Sequence, residues 1–171
     1  MVNSRHIALA AIFTSLGVAL SLYPGAIPVG PTRVLPYQHM VNVLAGIILG
    51  PWIGAGIALA IGTIRIGLGT GSIFAIPGGV PGVLVVGLAY RYWMKKNGVA
   101  LLEPVGTGIG ALISAFLVAP LAGTPSLPPI LGVTDQWVVF LIAFWASSIP
   151  GSVLGFVVIT ALAKRGIRIP I

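Results

Sequence analysis

The chain consists of long apolar runs separated by short polar or proline-rich breaks, and this pattern limits what it can fold into. Only 6% of its 171 residues are charged, whereas soluble domains average about 25% charged residues. The runs are rich in leucine, isoleucine, valine and alanine and lack the alternation of a membrane-barrel strand. We therefore predict an all-α integral membrane protein.

Six apolar segments are predicted to form one compact bundle of transmembrane helices that covers residues 1–171. Proline-rich segments after the first helix and before the last are predicted to be long loops, because proline breaks a helix interior. The Gly50-Pro51 pair separates the second and third helices, since proline suits the first turn of a helix. The predicted helices span residues 4–22, 36–50, 51–68, 78–94, 103–122 and 135–164.

The basic residues are distributed unevenly along this layout. If both termini are cytoplasmic, seven of the nine lysines and arginines fall on the cytoplasmic side of a plasma-membrane protein, as the positive-inside rule requires. These seven are Arg5, Arg91, Lys95, Lys96, Lys164, Arg165 and Arg168. Arg33 and Arg65 remain for the outer half, which suggests a site that faces outward. The net charge of +7 therefore follows the membrane topology and gives no reason to predict nucleic-acid binding.

The stretch from residue 62 to residue 82 is the most unusual part of the chain. Arg65 lies in an apolar helix, where an arginine at the bilayer centre costs about 2.5–3.5 kcal/mol on insertion scales. A glycine-rich turn and Phe74 follow it. Irregular backbone at membrane depth is tolerated where it is buried in protein or lines a watery cavity. We interpret the stretch as one wall of a ligand pocket, although an ordinary connection with a snorkelling arginine is the plainer alternative.

Pairs of small residues recur at helical spacing. Gly46-Gly50-Gly54, Gly78-Gly82, Gly106-Gly110 and Gly151-Gly155 are predicted to let helix backbones approach each other inside the bundle. The first helix carries a similar row of small residues, Ala11, Ser15 and Ala19, which is open to either internal packing or contact with another subunit.

Several function classes are disfavoured by the sequence. It contains no phosphate-binding GxxxxGK[ST] motif, so ATP hydrolysis by that route is excluded. Glu103 and Asp135, the only acids, are predicted on opposite membrane faces, which leaves no carboxylate pair for acid–base chemistry. His6 and His39 are far apart and cysteine is absent, so no metal cluster is predicted. We predict a non-catalytic protein without a cofactor.

Side chains suited to binding collect in the predicted outer half. His39 and Asn42 are three residues apart and share one helix face. Buried polar groups need partners, and a ligand would provide them. The candidate binding residues are Arg33, Tyr37, His39, Asn42, Arg65, Phe74, Trp137 and Phe140.

With these residues in view, the chain resembles the substrate-binding S components of energy-coupling factor (ECF) vitamin transporters, and within them the ThiW family. The resemblance covers nearly the whole length. It rests on the order and spacing of His39-Met40-Val41-Asn42-Val43, Leu49-Gly50-Pro51-Trp52, Ile64-Arg65 and Phe74-Ala75-Ile76-Pro77-Gly78-Gly79.

The resemblance implies a membrane receptor for the thiazole precursor of thiamine, hydroxyethylthiazole. It also implies a transmembrane coupling subunit and two cytosolic ATPase subunits as partners. In such transporters the first loop covers the ligand and small residues of the first helix contact the coupling subunit. That would give Ala11, Ser15 and Ala19 a partner-binding role.

The ligand itself is left open by the residues. Cationic thiamine is disfavoured, because the outer half offers Asp135 against Arg33 and Arg65. A neutral thiazole suits arginine, histidine and asparagine donors with an aromatic ring to stack on. An anionic vitamin such as biotin, or a phosphorylated thiazole, suits two arginines equally well.

Two other function classes stay open. A stand-alone secondary carrier or channel is disfavoured, because the sequence shows no inverted repeat and no acid placed for proton coupling. A purely structural membrane subunit would use the small-residue faces alone and would bind no small ligand.

Overall fold

The computed structural model describes residues 3–22, 26–29, 32–123 and 127–166. Parts of both predicted loops (23–25, 30–31 and 124–126) and Arg168 of the predicted cytoplasmic charge cluster lie outside the described residues. The described chain is almost entirely helical, with one short hairpin. Its elements are α1 Ser4–Leu22, β1 Ile27–Val29, β2 Thr32–Val34, α2 Pro36–Gly67, α3 Ala75–Leu88, α4 Glu103–Ile113, α5 Ala119–Leu121 and α6 Gln136–Lys164.

Short irregular helical segments extend several of these elements. A π-helical turn, Ala89–Trp93, continues α3, and a second one, Ser114–Val118, joins α4 to α5. A 3₁₀ segment, Asn97–Leu102, leads into α4. Within the described part of the chain, four helical spans are long and apolar enough to cross a membrane, namely Ser4–Leu22, Pro36–Gly67, Asn97–Leu121 and Gln136–Lys164.

Helix α2 is two helical arms that fold back on each other at Gly50. This residue has φ 82° and ψ 175°, a backbone conformation that glycine adopts without steric cost. A Cβ atom placed on Gly54 would lie 3.2 Å from the backbone of Gly46, whereas residues eight apart in a straight helix are about 12 Å apart. The break that the sequence predicts at Gly50-Pro51 is therefore confirmed, and the two arms run antiparallel.

The first loop contains a hairpin, which the sequence did not predict. Strands β1 and β2 pair antiparallel, with Ile27 opposite Val34 and Pro28 opposite Arg33. Residues of β2 pack against α6, and Val34 is buried. The hairpin leads directly into α2, which begins at Pro36 as the loop prolines suggest.

Helix α3 begins three residues earlier than predicted, at Ala75 and not at Gly78. Ala75 N donates to Ser72 O and Gly78 N donates to Phe74 O, so the helical ladder starts at the glycine-rich turn. Proline at the start of a helix removes a donor that has no helical partner, and Pro77 therefore fits inside the first turn. The predicted wall of residues 62–82 is accordingly a helix end, a tight turn and a helix start.

Close backbone contacts hold the helices together, and the small-residue pairs lie at these contacts. Gly110 faces the carbonyl oxygen of Pro77 and Gly106 faces that of Pro81, which brings α4 against α3. Gly151 and Gly155 meet α2 at His39 and Val43, which brings α6 against its first arm. The prediction that these pairs serve internal packing is confirmed.

Two apolar clusters fill the bundle around the first arm of α2. One joins Val43 and Ile47 to Val86 of α3 and Ile159 of α6. The other joins Val41, Ala45 and Leu49 of the first arm to Ile57 and Ile61 of the second. Helix α1 packs on the two arms of α2 through Gly17, where a Cβ atom would overlap the side chain of Ile61. Both arms of α2 thus form the centre of the bundle.

The contact at Gly110 yields a stability prediction. Replacing Gly110 with alanine places a methyl group against the carbonyl oxygen of Pro77, and such overpacking costs about 1–3 kcal/mol. Gly56→Ala is the matched control, because nothing lies within 4 Å of its added Cβ and alanine gains about 0.5–1 kcal/mol in a helix interior. Thermal unfolding in detergent measures the Tm of each variant, and we expect it to be lower than that of wild type for Gly110→Ala only. Equal Tm values for the two variants would contradict the close approach of α3 and α4.

Candidate functional site: an arginine-lined cavity

A cavity of about 420 Å³ opens at one end of the bundle. Its walls come from the hairpin, both arms of α2, the turn after α2, the start of α3, the middle of α6 and Leu127 in the second loop. This volume lies in the range of about 300–1,000 Å³ that is typical of small-molecule sites. Three connecting segments thus meet at one end of the helices and surround one space.

The structure brings five of the eight predicted site residues to this cavity. Tyr37, Asn42 and Trp137 do not line it in the described structure, and Trp137 points outward with 45% of its surface exposed. The role of every one of these side chains in binding stays a prediction. The five that line the cavity are Arg33, His39, Arg65, Phe74 and Phe140.

Arg65 is held in the cavity wall by neutral acceptors. Its Nη1 donates to Gln38 Oε1 at 2.5 Å, and its Nη2 donates to the carbonyl oxygen of Thr70 at 3.1 Å. The first contact exists because the arms of α2 are antiparallel, and the second because the turn wraps back over the helix end. The side chain is 5% exposed, and its Nε has no partner among the described residues. A buried cation without a carboxylate is costly, so this site favours a bound acceptor.

Aromatic rings form the apolar side of the cavity. Phe74, which immediately precedes α3, meets Phe140 of α6 edge to face, with ring centroids 4.8 Å apart. Phe140 meets Phe144 in the same way at 5.9 Å. Such pairs contribute about 0.5–1.5 kcal/mol beyond their buried area, and they fix flat surfaces on which a heteroaromatic ring can pack. Phe144 was not among the predicted site residues.

His39 is bonded to Glu103, a contact that the sequence analysis missed. His39 Nδ1 lies 2.7 Å from Glu103 Oε1, and Thr107 and Ser148 donate to the same carboxylate at 2.9 and 2.6 Å. Glu103 is completely buried in the bundle, so its assignment to the membrane face opposite the outer site is wrong. The 3₁₀ segment that precedes α4 carries Glu103 inward, and Gly82 leaves room for it where a Cβ would overlap the carboxylate.

Asn42 lies on the same helix face as His39 but deeper in the bundle. It is completely buried, and neither its amide nitrogen nor its amide oxygen has a hydrogen-bond partner among the described residues. Its nearest surroundings include the backbone of Gly79 on α3. The prediction that His39 and Asn42, three residues apart, share one helix face was therefore correct, but the depth at which each side chain ends could not be derived from this spacing.

Further polar residues line the cavity outside the predicted set, namely Gln38, Thr70, Ser72 and Ser147. Gln38 orients Arg65, and Ser147 accepts a hydrogen bond from the backbone N–H of Leu35 at 3.1 Å, which joins α6 to the hairpin. Gln38 carried one usable signal, since it lies one residue before the His39 motif at the end of the first loop.

The charged groups that line the cavity in the described structure are basic. Arg33 and Arg65 line the cavity, and no aspartate or glutamate is among the described residues that do so. Guanidinium groups, the Gln38 amide and the Ser147 hydroxyl all offer hydrogen-bond donors. The lining therefore suits a small molecule that is rich in acceptors or carries a negative charge.

These features define a multi-pass membrane protein with a small-molecule cavity among its helices, a class to which membrane transporters belong. Comparison with known proteins gives the particular family. The family model for the thiamine-precursor transporter protein ThiW matches residues 7–165, and the chain belongs to this family. It is also similar to the biotin transporter BioY of Rhodobacter capsulatus, with 31% identity over 181 residues that cover 95% of this chain and 93% of the relative. The protein is thus a non-catalytic, vitamin-type transport protein of the plasma membrane.

The two polar residues on one face of α2 give a contrasting pair of predictions. His39→Leu leaves the Glu103 carboxylate buried without its imidazole partner, and breaking a buried pair costs about 3–5 kcal/mol. Asn42→Leu removes an amide that has no partner in the described structure, so stability should stay the same or rise. Thermal unfolding of both variants in the same detergent measures the difference. A decrease in Tm for Asn42→Leu as large as that for His39→Leu would show that the Asn42 amide has a hydrogen-bond partner in the folded protein.

Proposed function

We propose that this protein is the substrate-binding S component of an ECF importer and that it captures hydroxyethylthiazole from outside the cell. The observation that carries the proposal is the cavity itself, with arginine donors on one side and phenylalanine rings on the other. The ThiW family name supports a thiamine precursor as the ligand. ATP hydrolysis would belong to partner subunits.

Hydroxyethylthiazole matches both sides of this cavity. Its ring nitrogen and hydroxyl oxygen accept hydrogen bonds, which Arg33, Arg65 and His39 would supply. Its flat ring would pack on Phe74 or Phe140, in the manner of other heteroaromatic ligands in aromatic sites. Trp137 and Tyr37 do not line the cavity in the described structure and would contribute only if their surroundings rearranged around the ligand.

Titration of the detergent-purified protein with hydroxyethylthiazole, thiamine and biotin tests this proposal. We expect the thiazole to bind most tightly of the three. Calorimetry and tryptophan fluorescence measure the binding. Arg65→Ala should weaken binding by about 1.5–3 kcal/mol, or roughly 10- to 150-fold, because it removes a charged hydrogen-bond donor.

Arg91→Ala is the control for the loss of one arginine. Arg91 is exposed, lies over the ring of Tyr92 and does not line the cavity. Its removal should leave the affinity unchanged. Unfolding curves for both variants establish that each is folded. Equal affinities for wild type and Arg65→Ala would rule out this cavity as the ligand site.

A biotin-like carboxylate is the second candidate ligand. The similarity to BioY supports it, as do two cationic side chains on a lining without acids. The titration separates the two candidates directly. Tight binding of biotin alone would keep the transporter class and replace the substrate.

A six-crossing topology with cytoplasmic termini fits this function. The crossings would be α1, the two arms of α2, α3 with its π turn, the span Asn97–Leu121 and α6. The hairpin, the turn after α2 and the loop before α6 then all lie on the outer side, where they surround the cavity. Substrate would enter from outside through these segments.

The exposed face of α1 is the proposed contact for the coupling subunit. Ala11, Ser15 and Ala19 follow one another at four-residue spacing, and all three are exposed, while Gly17 on the other face packs on α2. Small residues allow close helix–helix approach in membranes. A partner helix could therefore lie against this face without displacing α1 from the bundle.

Ser15→Trp should block this contact. The indole would keep the helices apart, so a co-expressed ECF coupling subunit should co-purify several-fold less with the variant, while ligand affinity stays the same. Val157→Trp on α6 is the matched control, since Val157 is also strongly exposed. Normal recovery of the coupling subunit with Ser15→Trp would place the interface elsewhere.

A further inference from the structure

Glu103 is the one acid found inside the described bundle, and it carries three hydrogen bonds at once. His39 Nδ1 and Thr107 Oγ1 meet its Oε1, and Ser148 Oγ donates to its Oε2. These partners come from α2, α4 and α6, so the carboxylate joins three helices. A completely buried carboxylate is retained only at considerable cost, which raises the question of what it does there.

The pair connects the interior of the bundle to the cavity. His39 lines the cavity, whereas Glu103 does not. The contact with Glu103 occupies Nδ1, so Nε2 is the ring nitrogen that remains for a bound molecule. Whether Nε2 donates or accepts a hydrogen bond depends on where the protons of the pair lie.

Burial limits the proton positions of the pair. If Glu103 is ionised and His39 is an imidazolium, both ring nitrogens carry protons. If both groups are neutral, the carboxylic acid donates to Nδ1 and the proton of the ring is on Nε2. In both of these electroneutral arrangements, Nε2 is a donor. An acceptor Nε2 requires one of two other arrangements. The first is a net negative pair, whose charge has no cationic contact among the described residues and which burial therefore disfavours. The second is a neutral acid with its proton on Oε2, and the hydrogen bond that Oε2 accepts from Ser148 disfavours it.

We propose that Glu103 is a positioning residue for ligand recognition, which holds the His39 ring and keeps a proton on Nε2. The inference rests on the proposed function, because it assigns a role to His39 in the same cavity. Nε2 then adds a third donor to those of Arg33 and Arg65, the charged groups that line the cavity with it. The site thereby selects a ligand with an acceptor atom facing His39, such as a ring nitrogen or a carboxylate oxygen.

Nitrogen-15 NMR of histidine-labelled protein tests the proton position without any ligand. The chain contains two histidines, and His6→Gln leaves only the signals of His39. We expect Nε2 of His39 to be protonated at neutral pH in the otherwise unchanged protein. An unprotonated Nε2 would overturn the proposal, whatever the variants below show.

Two substitutions of Glu103 separate the effect of its hydrogen bond to His39 from the effect of its charge. In Glu103→Gln the amide can donate to Nδ1, which keeps the proton on Nε2, so affinity for hydroxyethylthiazole or biotin, whichever wild type binds, should stay within about threefold. Glu103→Met keeps a similar volume but makes no hydrogen bond to His39. Its affinity should fall at least about tenfold, which corresponds to one lost hydrogen bond to the ligand.

Thr107→Val and Ser148→Ala test the alternative that Glu103 only stabilises the fold and does not position His39. Each removes one hydroxyl partner of Glu103 and leaves the bond to His39, so affinity should change less than about threefold even if the Tm falls. If the affinity of Thr107→Val or Ser148→Ala falls as much as that of Glu103→Met, the positioning role is wrong. It is also wrong if Glu103→Gln folds but does not retain ligand binding. If wild type binds neither probe, the proposed function fails, and the NMR measurement alone decides the proton position.

Discussion

The reversal of α2 at Gly50 is the constraint on which the site depends. It places the beginning and the end of one helical segment side by side, so that Gln38 and Arg65, 27 residues apart, form a hydrogen bond. The same reversal makes the two arms the centre of the bundle and presents His39 to α6 and α4. A residue with a side chain at Gly50 would have to adopt a strained backbone, which makes this glycine a condition for the cavity and for the core together.

The polar groups of the site are arranged so that the apolar bundle tolerates them. The Arg65 side chain lines the cavity, donates to two neutral acceptors and has one buried nitrogen without a partner among the described residues. Glu103 has three hydrogen-bond partners and lies in the interior of the bundle. Arg65 and Glu103 therefore form no direct ion pair with each other in the described structure. The guanidinium group remains available to a ligand, whereas the carboxyl group is hydrogen-bonded within the protein.

Much of the helical architecture followed from composition and from proline and glycine positions. The break at Gly50-Pro51 and the close contacts at Gly106-Gly110 and Gly151-Gly155 were predictable, because each depends on local chemistry. The hairpin of β1 and β2 was not, since a loop with several prolines carries no strand periodicity. The contact of His39 with Glu103 joins residues 64 apart in sequence, and helix register alone does not fix such a distance. Asn42 shows the same limit, because spacing gives the face of a helix and not the depth of a side chain.

The burial of Glu103 also bears on which ligands the cavity can accept. A cation such as thiamine would need a carboxylate that is free to approach it, and the carboxyl group of Glu103 is occupied by His39, Thr107 and Ser148. Moving this carboxyl group into the cavity would break three hydrogen bonds. The phenylalanine rings attract cations only weakly, by about 0.5–2 kcal/mol, against the repulsion of two arginines. The selectivity for acceptors over cations that we propose would therefore be a consequence of how the protein satisfies its own buried acid, and it would require no group dedicated to excluding thiamine.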